Sequence, residues 1–148
     1  MKRRKTIRAG RLVWDITYTV PRPNASKQER KRIREVTEEQ IQRTNANTAQ
    51  RKLEMLMATN FDDTDLVLTV TYRDADLPES ADVTRKHLGK VFVQMRAYRK
   101  ARGLPDLKYI YVLEGRHGDH RPHAHIIINA VGGDLELMRS LWIWGDDI

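Results

Sequence analysis

Cysteine is absent from the 148-residue chain, which excludes disulfides and thiolate metal ligands and agrees with a reducing compartment. Long apolar runs are missing as well. None approaches the roughly 20 residues that a membrane span requires, and Met1-Lys2-Arg3-Arg4-Lys5 is not followed by the apolar core of a signal peptide. No membrane partner is expected, and the chain is expected to stay in a cytoplasm. Internal repeats and low-complexity tracts are lacking too. What remains, 40% hydrophobic and 32% charged, suffices for one soluble domain with a core, plus a tail.

The formal charge of +7 is unevenly placed. Residues Met1 to Arg34 carry twelve Lys and Arg against Asp15 and Glu29, and the remainder carries fifteen basic and eighteen acidic residues. Such a block beside a near-neutral domain fits contact with nucleic-acid phosphates, where each neutralised phosphate releases counterions. A solubilising tail explains the charge equally well. On the first reading the DNA-contacting side chains are Arg3, Arg4, Lys5 and Arg8, joined by Arg121 further along.

Periodicity gives the elements. Arg11 to Val20 alternates Leu12, Trp14, Ile16, Tyr18 and Val20 against polar residues, the pattern of an edge strand, and Pro21 to Asn24 breaks it. Ser26-x-x-Glu29 predicts a capping box, and the pattern stays helical to about Ala58, with Asn45 and Asn47 as points of interruption. Lys27, Arg30, Lys31 and Arg34 on its first turns read as a solvated face, with a DNA-facing stripe as the alternative. Leu66 to Tyr72 is the clearest strand. A helix from about Asp82 to Arg102 presents Leu88, Val91, Phe92, Met95 and Tyr98 at core spacing before Gly103 and Pro105 stop it. Lys108 to Glu114 and the segment after Arg121 read as neighbouring antiparallel strands, and Gly132-Gly133-Asp134 opens a last short helix. The order predicts an α+β fold in which a central antiparallel sheet is covered by helices on one face. Its parts are a basic N-terminal segment at 1–25, a helical arm at 26–60 and a core at 61–148.

Within that core stands Arg121-Pro122-His123-Ala124-His125-Ile126-Ile127-Ile128. On a strand successive side chains alternate faces, so His123 and His125 project together while Ala124, Ile126 and Ile128 face the other way. Two neutral imidazoles one strand-step apart suit a single metal ion held with open coordination positions. Glu114, at the near end of the preceding strand, is the candidate third ligand, although the connecting loop leaves the register open. Mixed nitrogen and oxygen donors suit Mn²⁺, Mg²⁺ or Zn²⁺. The alternative is a pair of histidines that merely make hydrogen bonds. Four of the five histidines fall within nine residues, which favours the metal, although His117 and His120 read as solvated loop residues.

Together the Leu66 to Tyr72 strand, Glu114 and His123-Ala124-His125 resemble the HUH endonucleases, in particular the rolling-circle replication initiators (Rep proteins) of phages and plasmids. The arm from Arg51 to Phe61 and the Leu141 to Gly145 segment are similar to Rep proteins of bacterial mobile elements. The resemblance spans roughly Arg51 to Gly145 and implies an HUH or RRM-like, ferredoxin-like fold. It implies Mn²⁺ or Mg²⁺ on Glu114, His123 and His125, and single-stranded origin DNA, with a hairpin, as substrate. It implies nicking and joining through a 5′-phosphotyrosine in a bacterial host, with a host helicase and polymerase as partners. One departure stands out: no tyrosine follows His125, where the family carries its nucleophile on a helix. No catalytic residue is therefore assigned, and a longer protein cut short before its catalytic helix is expected. Two rivals remain. One is a non-enzymatic single-strand-binding module that stacks bases on Tyr109 and Tyr111. The other is an HUH transposase or relaxase.

Overall fold

The computed structural model describes residues 1–34, 37–115, 121–146 and 148, and the chain divides into two units, Met1–Asn60 and Phe61–Ile148.

In the first unit, strand β1 (Lys2–Ala9) pairs antiparallel with β2 (Leu12–Thr19) along its whole length, from Lys2 opposite Thr19 to Ala9 opposite Leu12. The two-residue connection places Gly10 at a φ of 53°. A left-handed first position is what a tight hairpin turn matching strand twist requires. A Cβ at Gly10 would also stand 1.9 Å from the Ala58 carbonyl oxygen, so only glycine lets the helix end approach the turn. The basic N-terminal segment is thus a strand. Its residues are almost all polar and show no alternation, and what orders them is the amphipathic β2 partner. Arg4 and Thr6 both bond the Asp15 carboxylate across the pair.

Helix α1 (Lys27–Arg34) follows, and α2 (Glu38–Asn60) runs unbroken through Asn45 and Asn47. The interruption expected at those asparagines falls instead before Glu38. There Thr37 and Gln40 form a capping box: each backbone N–H donates to the other's side-chain oxygen, at 3.2 and 3.3 Å. The Glu29 side chain of the box expected at Ser26 lies outside the described residues, as do Val36, His117 and His120.

The second unit is the α+β core that the sequence predicts. Strands β3 (Leu66–Thr71), β4 (Tyr109–Glu114) and β5 (His123–Ile128) form an antiparallel sheet in the order β3-β5-β4. The strand at 12–19 takes no part in it, because β2 pairs with β1 in a separate sheet. On one face Leu68, Val70, Leu113, Ala124, Ile126 and Ile128 are buried against Leu88, Val91, Phe92 and Met95 of α3 (Ala81–Ala101) and Met138 of α4 (Asp134–Leu141). The other face is open: Val67 is 73% exposed and Val112 50%.

Helix α3 begins at Ser80, whose hydroxyl accepts from the Val83 N–H. It ends in a Schellman motif at Gly103, with Leu104 N–H donating to Arg99 O and Gly103 N–H to Lys100 O. Its buried stripe continues from Met95 to Arg99, four residues on. Tyr98, expected in the core, is only half-buried and lies with its ring 3.8 Å from the Arg102 guanidinium. Arg99 and Asp134 are both about 1% exposed and pair at 2.6 Å. Arg99 also donates to the carbonyls of Pro105, Asp106 and Asn129, so one guanidinium ties α3 to the end of β5 and the start of α4.

Candidate metal centre

Strand register assembles the site. Glu114 lies directly opposite His123 across β4 and β5, and on the other side Thr71 and Thr69 lie opposite His123 and His125. Residues directly opposite in an antiparallel pair share a face. Because Ala124 and Ile126 are committed to the core, His123 and His125 must project from the open face, and Glu114 joins them there.

The geometry is convergent. His123 Nε2 stands 3.3 Å and His125 Nε2 3.7 Å from Glu114 Oε2, and the three donor atoms lie within 4.8 Å of one another. The rings meet edge to face with centroids 4.9 Å apart. Each far nitrogen is engaged: His123 Nδ1 lies 2.8 Å from the Arg121 carbonyl oxygen, and His125 Nδ1 lies 2.9 Å from Thr69 Oγ1. A carbonyl only accepts, so His123 carries its proton on Nδ1 and presents the Nε2 lone pair toward Glu114. This is how metal-ligating imidazoles are ordinarily oriented, by an oxygen partner behind the ring. Two imidazole nitrogens and a carboxylate oxygen, all at least partly exposed, fit a hard or borderline divalent cation with positions left for a substrate oxygen.

Arg121 completes the support. It donates through Nε to the Tyr72 carbonyl at 2.9 Å, and its Nη1 pairs with Asp74 at 2.7 Å. The chain entering β5 is thereby tied to the end of β3, and the carbonyl of the same Arg121 holds His123. Thr69 and this bracket were not singled out by sequence. A β-branched residue two places from the strand end gives no signal until the register places it beside an imidazole. Of the other expected DNA contacts, Arg3, Lys5 and Arg8 are exposed on β1, whereas Arg4 is paired with Asp15.

A cleft of about 230 Å³ adjoins the triad, lined by Pro78, Ser80, Thr84, Leu113, Glu114 and His123 among others. The aromatic residues expected on the open face are not there. Tyr109 and Tyr111 lie opposite the buried Ile128 and Ile126, with the Tyr109 ring stacked 3.8 Å from Phe92. Tyr72 is buried on the same covered side, its hydroxyl 3.2 Å from His87 Nδ1, and burial pushes that phenol's pKa up, with a hydrogen bond to Thr84 opposing. None of these tyrosines, nor Tyr98 beneath Arg102, shares the face of the triad.

Residues 65–146, more than half of the chain, match a family of replication-associated proteins of the ORF2 type. The chain belongs to this family. No curated protein and no solved structure matches it. The matched span of this replication-associated protein runs from β3 through α4 and encloses the triad, the Arg121 bracket and the Arg99–Asp134 pair. Membership connects the protein to DNA replication and hence to DNA. No described helix is long and apolar enough to cross a membrane.

Proposed function

We propose that this replication-associated protein provides the metal- and strand-binding part of an HUH-type endonuclease that nicks and rejoins single-stranded origin DNA to start rolling-circle replication. The observation that carries the reading is the orientation of the two imidazoles: each has an oxygen partner on Nδ1 and turns Nε2 toward the one carboxylate between them. Glu114, His123 and His125 would hold Mn²⁺ or Mg²⁺. Bound there, the ion would supply the positive charge that a scissile phosphate needs as negative charge builds on its oxygens.

The chain's own residues do the positioning. Thr69 and the Arg121 carbonyl fix the rings, β4 and β5 fix their spacing, and the open sheet face admits an extended strand to the triad. In the reaction a tyrosine oxygen bonds to phosphorus while the bond to the 3′ oxygen breaks. A 5′-phosphotyrosine and a free 3′-hydroxyl result, and the hydroxyl primes synthesis. Because the four tyrosines of this unit avoid the triad's face, the reading assigns the nucleophile to another segment or chain. Host helicase and polymerase would act next. A non-enzymatic base-stacking sheet is less well supported, since Tyr109 and Tyr111 are turned toward Phe92.

The test is incubation with single-stranded hairpin DNA, Mn²⁺ and a form of the protein that supplies the tyrosine. A nicked strand with protein attached to its 5′ end is expected, and His125→Ala should abolish it. Undiminished nicking by that variant would contradict the assignment.

A further inference from the structure

The triad's surroundings account for the open sheet face but leave the β1–β2 hairpin without a task. Its register sorts the side chains cleanly. Arg3 lies opposite Tyr18, Lys5 opposite Ile16 and Ile7 opposite Trp14, so these six share one face. Lys2, Arg4, Thr6 and Arg8 share the other with Val13, Asp15, Thr17 and Thr19. The first face grades from close packing at the turn, where Ala9 is 9% exposed, to open surface at the far end, where Arg3 and Lys5 are exposed and Tyr18 is 43% exposed.

Among the described residues, neither Trp14 nor Tyr18 has a ring or cation partner, whereas Tyr72, Tyr98, Tyr109, Tyr111, Trp142 and Trp144 all do. Arg4 is neutralised by Asp15 on the opposite face, while Arg3 and Lys5 have no acidic residue across from them. The unit as a whole carries fifteen Lys and Arg against six Asp and Glu.

Cations alternating with unpartnered rings on one strand pair are the composition of a single-strand platform: the cations meet backbone phosphates, and the rings stack on bases of any sequence. Trp14 and Tyr18 lie four residues apart on β2, about 13 Å at the rise of a strand. That separation suits the bases of an extended strand better than the continuous stack of a duplex. We propose that the Arg3, Lys5, Trp14 and Tyr18 face of the β1–β2 hairpin binds single-stranded DNA without sequence preference. The inference extends the nicking reading by naming where the strand is held, but it concerns binding without metal and stands or falls separately.

The experiment is fluorescence anisotropy of a labelled oligothymidylate with the whole protein in EDTA, followed across a salt series, beside a duplex of the same length. Tyr18→Ala is expected to weaken single-strand binding at least about fivefold, the low end for one stacked base. Tyr18→Phe should restore it. Arg3→Ala and Lys5→Ala should each flatten the salt dependence by roughly 0.7 in slope, the value for one single-strand phosphate. Thr17→Ala, on the opposite face, should change neither. The proposal is overturned if Tyr18→Ala binds as the parent does, or if the duplex binds as tightly as the single strand and loses as much in the same variants. Circular dichroism of each variant separates lost binding from lost folding, and Tyr18→Phe decides the case if Tyr18→Ala does not fold.

Discussion

At the residue scale the centre depends on what stands behind each imidazole. Thr69 is exposed and is given no contact with substrate, yet its hydroxyl sits 2.9 Å from His125 Nδ1. Thr69→Val removes that oxygen while keeping shape and β propensity. Outer partners of ligating histidines are typically worth 10–100-fold in metal affinity. Thr69→Val should therefore weaken Mn²⁺ binding about tenfold in calorimetric titration, with no change in secondary structure. An unchanged affinity would mean that the ring is held by its strand alone.

His87 gives the residue scale a pH dependence away from the site. Burial, and then the neighbouring Lys90 charge, press its pKa below the ordinary histidine value, with Asp76 opposing. The ring stacks 3.9 Å from Trp144 and meets the Tyr72 hydroxyl. The unfolded chain therefore takes up this proton first as pH falls, so stability drops from about pH 6.5 downward until the folded form is protonated too. His87→Phe keeps a ring against Trp144 and removes the titration. Its loss of urea resistance between pH 7 and pH 5 should be smaller than that of the parent; an equal loss would assign the dependence to other groups.

At the scale of elements, the strands and helices with strong periodicity were legible in the chain and the weakly patterned ones were not. Leu66–Thr71 is largely β-branched, and α3 carries apolar residues at helical spacing. The strand β1 was hidden because Lys2 to Arg8 is nearly all polar and gains order only from its partner. Tyr98 and Arg99 could not be ranked by spacing, since three and four residues beyond Met95 both continue the stripe. The ion pair with Asp134 decided it, 35 residues away in sequence. Both histidine positions and their shared face followed from alternation, but the approach of Glu114 needed the register of β4, which a loop of unfixed length conceals.

The buried ion pair that joins α3 to α4 carries a stability prediction. Removing one member of such a pair leaves the other charge unpaired, typically at about 3–5 kcal/mol. Asp134→Asn should lower the unfolding free energy in that range, because Asp134 accepts from the Val131 N–H as well as from Arg99. Gly145→Ala should act through a different element. Its Cβ would fall 2.0 Å from the Thr71 carbonyl oxygen, which already accepts from Trp142 Nε1 at 2.8 Å. Overpacking of this kind costs about 1–3 kcal/mol. Denaturant melts check both, and a midpoint equal to the parent's in either variant would contradict the packing described.

At the scale of the whole molecule, charge and chemistry are divided. Met1–Asn60 has fifteen basic against six acidic residues, whereas Phe61–Ile148 has twelve against fourteen and holds the triad. A near-neutral unit with a carboxylate at its centre attracts a cation better than it attracts DNA, and a strongly basic unit does the reverse. Membership in a replication-associated family gives both halves a common task. The division is legible in composition alone, whereas the ordering of the basic end as a ribbon with two distinct faces depends on the β1–β2 register.

Calorimetric titration of the protein with Mn²⁺ tests the metal centre most directly. One bound ion per chain is expected, with binding lost in Glu114→Ala, His123→Ala and His125→Ala while the circular dichroism of each variant stays that of the parent. Binding that survives in all three, or no binding by the parent, would contradict the assignment of the triad.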